Sequence, residues 1–100
     1  MIESNLDALW KIVSKIPKGK VMTYGDVGKL LPHPASGFQV GRWMASCPDG
    51  VPWWRVVAKT GSLPIGKRAH HLHREQMRRL KAERVRISAD GVVDMAKHRV

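Results

Sequence analysis

Few side chains in this sequence could do covalent or metal chemistry. They are one cysteine, Cys47, three close histidines, His70, His71 and His73, and the segment Val51-Pro52-Trp53-Trp54-Arg55-Val56-Val57. A cysteine is a nucleophile only as its thiolate, which needs a nearby base or positive field. Val40, Trp43, Met44 and Cys47 recur at helical spacing, so the thiol is expected on the core side of a helix, where thiols are inert. The three histidines invite zinc, but such sites need about four ligands, and no second group of Cys, His or carboxylates completes the set. No bound metal or other cofactor is expected. No glycine-rich phosphate loop, Ser/His/Asp arrangement or carboxylate pair is visible. The tandem indoles offer neither a thiolate nor a basic lone pair, which leaves stacking as their chemistry. Taken as a pattern alone, Pro-Trp-Trp-Arg-Val-Val reads as a buried strand led by aromatics.

The elements that must position these residues are mostly helical. Leu6, Leu9, Trp10, Val13 and Ile16 form an apolar stripe, predicting a helix over about residues 4–16 with Ser4 as N-cap and Asp7 in its first turn. Pro17 and Gly19 end it. Thr23 can cap a second helix over 24–31, stopped by Pro32. Ser36 and Gln39 have capping-box spacing for a third. That helix turns Val40, Trp43 and Met44 inward and Phe38 and Arg42 outward, with Gln39 alongside. Phe38 is then either a ring open to a stacking partner or one packed against another element, such as the N-terminal helix. Residues 51–63 read as strand and turn, 64–68 as a loop, and about 71–84 as a helix. The last has His73, Gln76, Met77 and Leu80 inside and Arg74, Arg78, Arg79 and Lys81 outside. Residues 85–93 suggest a short hairpin around Asp90-Gly91.

One hundred residues with 43% hydrophobic content make one small domain, spanning 1–100. No apolar run is long enough to span a membrane, and a single cysteine fits a reducing cytoplasm. The formal charge of +10 favours a polyanionic partner, and nucleic acid is the commonest. Two short helices joined by a tight turn in so basic a chain suggest a helix-turn-helix. The expected fold is therefore mainly α with a small β component, a winged helix-turn-helix-like DNA-binding domain.

Three motifs in order carry a family resemblance. Pro52-Trp53-Trp54-Arg55-Val56 resembles the active-site segment Pro-Cys-His-Arg-Val of O6-alkylguanine-DNA alkyltransferases. Ile16-Pro17-Lys18-Gly19-Lys20-Val21-Met22-Thr23-Tyr24-Gly25 resembles that family's Ile-Pro-x-Gly-x-Val-x-Thr-Tyr-Gly. Gln39-Val40-Gly41 is similar to the recognition-helix pattern Arg-x-Val-Gly without its first residue, Gly61 matches the turn after the active-site segment, and Leu80-Lys81-Ala82-Glu83 resembles the terminal helix with its glutamate. Trp53 in the cysteine position is the mark of the alkyltransferase-like proteins. That resemblance implies a DNA-binding domain that is not an enzyme. It implies binding of O6-alkylguanine in double-stranded DNA from the minor groove, flipping of the nucleotide into a pocket, and hand-over to nucleotide excision repair proteins.

By the same resemblance Thr23, Tyr24, Phe38, Gln39 and Arg42 fall on the DNA face. Tyr24 corresponds to the tyrosine that helps rotate the target nucleotide. Trp53, Trp54 and Arg55 fall at the lesion pocket, with Lys67 or Arg68 near the flipped base. The chain departs from its family at several points. Phe38 stands where an arginine finger fills the vacated stack. Trp54 replaces the activating histidine, which removes any partnership of that histidine with Glu83. Cys47 falls near an asparagine hinge, and Arg84 replaces a glycine. A monomer in the cytoplasm, acting on DNA and not on membranes, is expected. The competing expectation is a helix-turn-helix regulator that reads undamaged sequence.

Overall fold

A computed structural model describes residues 4–63 and 70–100. Within these, α1 (Asn5–Ser14), β1 (Met22–Thr23), α2 (Tyr24–Leu30), α3 (Gly37–Met44), β2 (Val56–Val57), α4 (His70–Ala82) and α5 (Met95–His98) follow in order. The architecture is mainly helical with a two-stranded sheet, as composition and pattern imply.

Local chemistry sets the first three helix starts. The hydroxyls of Ser4, Thr23 and Ser36 accept hydrogen bonds from the backbone N–H groups of Asp7, Asp26 and Gln39, at 3.1, 3.0 and 3.1 Å. Helix α1 stops at Ser14, ahead of Pro17, and buries Ala8, Leu9 and Val13. Helices α2 and α3 pack closely through small residues. The Gly28 carbonyl accepts from both Leu31 and Ala35 across the turn, and a Cβ on Gly28 would collide with the carbonyl of Ala35. Only glycine permits this approach.

Strands β1 and β2 pair in parallel, Met22 with Val56 and Thr23 with Val57. They form the joint between two apolar clusters. Val56 faces Leu9, Val13, Ile16, Val27 and Val40, whereas Val57 faces Val21, Leu63, Leu80, Val85 and Val93. The alternation of a strand's side chains lets two adjacent valines close two cores.

Residues 51–63 are not the expected strand. Only Val56 and Val57 are extended, while Trp53–Arg55 form a 3-10 turn closed by Arg55 N–H donating to the Pro52 carbonyl at 3.1 Å. The expected hairpin is present in reduced form, as one antiparallel bridge between Ile87 and Val93 with Gly91 at φ 81°. Helix α5 was not legible in the pattern; Asp94 caps it by accepting from Lys97 N–H. It brings the end of the chain onto its beginning. Val21 bridges Arg99, Arg99 pairs with Asp26 at 2.8 Å, and the buried His98 ring accepts from Arg86 N–H at 2.9 Å with its other nitrogen 2.8 Å from the Gly19 carbonyl.

Candidate DNA-lesion site

The start of α2, the outer edge of α3 and the 3-10 turn enclose a concavity of about 750 Å³. Its wall includes Tyr24 and Gly25 from α2, Gly37, Phe38 and Gly41 from α3, and Trp53 from the turn, with Leu72 of α4 beyond. Its size falls within the range of small-ligand sites, about 300–1,000 Å³, and its lining is largely apolar and aromatic. Phe38 is 74% exposed. This decides between the two placements of its ring, which is open at the rim and not packed on α1. Arg42 is also exposed one turn on, and Gln39 is half-buried. Thr23 is buried, and its hydroxyl is engaged in capping α2.

Trp54 and Arg55 do not line the concavity; they form the support behind Trp53. The two indoles meet edge to face, with ring centres 6.1 Å apart and planes at 85°. Arg55 is 8% exposed and clamps Glu83 in two-pronged fashion, Nε to Oε1 at 2.9 Å and a terminal nitrogen to Oε2 at 2.6 Å. Its other terminal nitrogen donates to the Ile16 carbonyl at 2.8 Å. Trp54 Nε1 donates to Glu83 Oε2 at 3.1 Å. The expected loss of a Glu83 partnership is therefore corrected: the indole keeps it, because its N–H can reach the same carboxylate. Burial alone would raise the Glu83 carboxyl, but the hydrogen bonds from Arg55 and Trp54 and the Arg55 charge outweigh it and hold Glu83 below the usual carboxylate range. The Arg79 guanidinium lies 4.4 Å from the Trp54 ring centre on α4, in cation–π range.

Cys47 is not on the core face. Helix α3 ends at Met44, so helical spacing no longer governs residue 47, and the thiol borders the concavity with Trp53. Burial, and then the Asp49 carboxylate, push it up to about 11. At neutral pH only about one molecule in ten thousand would carry the thiolate. Lys67 and Arg68 lie outside the described residues, as do the side chains of His70 and His71. Among the described residues no three His, Cys, Asp or Glu side chains gather as a metal site.

The sequence profile of the family described as "6-O-methylguanine DNA methyltransferase, DNA binding domain" matches residues 6–85. The chain belongs to this family. A DNA base-flipping protein of Escherichia coli K12 is 40% identical over 93 residues, which are 91% of this chain and 70% of that protein. A DNA base-flipping protein of Vibrio parahaemolyticus is 31% identical over 93 residues, 91% of this chain and 90% of that one. In fold, the chain matches Schizosaccharomyces pombe Atl1 in complex with damaged DNA containing O6-carboxymethylguanine, with a TM-score of 0.82 over 100% of this chain and 97% of that one, at 24% identity. Helices α2 and α3 fall within the residues matched to this DNA-binding domain, and the concavity lies against them.

One residue that matters to this family member was not singled out for its role. Gln76 is 1% exposed, and its amide donates to the carbonyls of Trp54 and Val56 at 3.2 and 3.1 Å. It ties the tryptophan turn to α4. The available signal was an amide on the apolar face of that helix, where a buried polar group must find partners.

Proposed function

We propose that this protein binds double-stranded DNA through α2 and α3 and holds O6-alkylguanine, flipped from the duplex, in the concavity beside Trp53, without removing the alkyl group. The observation that carries the reading is the position of Trp53. It lines the wall of the concavity, the motif resemblance matches it to the cysteine of the alkyltransferases, and an indole cannot accept an alkyl group by displacement. Cys47 borders the same space, but its thiol is held protonated. Extruding a nucleotide costs a few kcal/mol, and each base–aromatic stack contributes about 1–3 kcal/mol. Trp53 against the flipped base and Phe38 against the vacated stack together offset that cost. Charge supplies the rest: the +10 total gives affinity for any duplex, and the aromatics add preference for the lesion. The relatives described as base-flipping proteins, and the fold shared with a protein seen on damaged DNA, support this reading. In the cell a stably held lesion with no chemistry to follow is a flag, so we assign the protein, as a cytoplasmic monomer, to passing its lesion to nucleotide excision repair.

The test is binding to matched duplexes containing guanine, O6-methylguanine or a bulkier O6-alkylguanine, followed by intact mass measurement of the protein. We expect tighter binding to both lesions in any sequence context, an unchanged protein mass, and protection of the lesion from an authentic alkyltransferase. A gain of one methyl group, above all on Cys47, overturns the non-enzymatic reading. Equal affinity for all three duplexes with preference for one palindromic sequence favours a regulator instead.

A further inference from the structure

A second basic surface lies away from the concavity. Lys81 and Arg84 at the end of α4, Lys18 and Lys20 before β1, Arg86 after α4 and Lys97 on α5 are all exposed. Hydrogen bonds hold the segments that carry them side by side. The His98 ring joins the Gly19 carbonyl to Arg86 N–H, and Lys20 Nζ reaches the Lys97 carbonyl at 3.5 Å. Gly19 packs against the Glu83 carbonyl, next to Arg84. None of the six cations is in a salt bridge with a described carboxylate. Glu83 is turned inward to Arg55 and Trp54, and Asp94 caps α5.

Arg84 adds a second observation. Val85 N–H donates to the Leu80 carbonyl at 3.0 Å and Arg84 N–H to that of Lys81 at 2.9 Å, the pair of bonds that ends a helix through a left-handed residue. That residue is Arg84, at φ 64°, the one non-glycine residue with positive φ among those described. Glycine takes this conformation freely and arginine does not. Favourable charge at a helix C-terminus accounts for Lys81. It does not account for an arginine in a glycine conformation, nor for Lys18 and Lys20 on another segment.

We infer that this patch is a second contact surface for DNA phosphates, taken up by the duplex that flanks the segment seated on the concavity. The inference rests on the reading that the concavity takes DNA. Leu72 borders the concavity and Lys81, nine residues on, the patch, so the two are separated by roughly 13–14 Å along α4. No exposed aromatic ring lies among the cations, so an acidic protein would find charge without the anchor that specific protein interfaces use. A phosphate backbone requires the charges alone.

The experiment measures the salt dependence of binding to lesion-bearing duplexes of about 10 and about 30 base pairs, each neutralised phosphate contributing about 0.9 to the log–log slope. On the long duplex, the triple variant Lys18→Gln, Arg84→Gly, Arg86→Gln should have a slope shallower by about 2–3, and on the short duplex by about 1 or less. Arg84→Gly alone should lower the slope by about 1 while raising the Tm, and Arg84→Lys should keep the parent slope. A triple variant with the parent's slope on the long duplex overturns the inference. The same unchanged slope with lost binding to polyglutamate would assign the patch to an acidic protein instead. Lesion preference on the short duplex reports on the concavity separately, so failure of that reading shows there and not in the slope difference.

Discussion

Replacing Phe38 with alanine tests the mechanism with little risk to the fold. The ring is 74% exposed at the rim of the concavity, in the first turn of α3, and it caps no helix and fills no core. Its removal should change stability by no more than about 0.5 kcal/mol, as for other surface positions, and alanine's better helix propensity partly compensates. Binding is a different matter. If the ring enters the space left by the flipped nucleotide, its loss removes one base–aromatic stack, about 1–3 kcal/mol, or about 5- to 150-fold in Kd. Binding to undamaged duplex, which depends mainly on charge, should change much less. Fluorescence anisotropy on paired lesion and control duplexes gives both numbers. A 2-aminopurine opposite or beside the lesion reports unstacking directly, and its signal should fall in the variant. Phe38→Arg should restore affinity and add discrimination by the orphaned partner base, since a guanidinium can hydrogen-bond where a phenyl ring cannot. If Phe38→Ala binds the lesion and unstacks the duplex as the parent does, the ring is not a wedge, and extrusion must rely on the wall around Tyr24 and Trp53.

Two further outcomes follow from the packing. Glu83→Gln leaves the buried Arg55 without its counter-charge and should cost about 3 kcal/mol in chemical denaturation, near the low end for breaking a buried pair because the amide oxygen can still accept one bond. Because the Glu83 carboxyl is held below its ordinary value of 4.5, its contribution is present above that pH and is lost as pH falls through the lower folded value; the variant should show a flatter loss of stability below about pH 4.5 than the parent, and an equally steep acid limb would sink the argument. Gly28→Ala forces a methyl group into the Ala35 carbonyl and should cost about 1–3 kcal/mol or more, read as a lowered Tm, whereas the same change at Gly41, inside α3 with open space around it, should raise the Tm, because alanine is the better helix former by about 0.5–1 kcal/mol.

What could be read from the chain depended on how local the cause was. The three N-caps at Ser4, Thr23 and Ser36 were legible because a hydroxyl and an N–H three residues on settle each helix start by themselves. The core stripe of α1 and the inward face of α3 followed from spacing. Residues 53–55 look like strand in sequence but form a 3-10 turn, because their conformation is set from far along the chain. Arg55 is held by Glu83, 28 residues away, and by Ile16, 39 away, and the turn's carbonyls by Gln76. No local pattern contains those partners. Cys47 leaves the core face because α3 ends at Met44 and its helical period does not extend to residue 47. Helix α5 spans only four residues, too few for any periodicity to show.

The two tryptophans make most sense as a pair. An indole N–H is a donor only, whereas a histidine ring can also accept. Trp54 can therefore satisfy Glu83, at 3.1 Å, and brace the turn together with Arg55, Arg79 and Gln76, but it offers no lone pair to take a proton from a neighbour. The largely covered carboxylate is held by Trp54 and Arg55 together. What disappears is the route by which a nucleophile at residue 53 would be activated. Trp53, freed from that role, presents a large flat ring at the wall of the concavity. A cysteine placed at residue 53 would meet the Trp54 indole where a base would be needed to take its proton. Residue 54 is a brace for the turn, and under the proposed reading Trp53, carried on that turn, is the surface against which the flipped base rests.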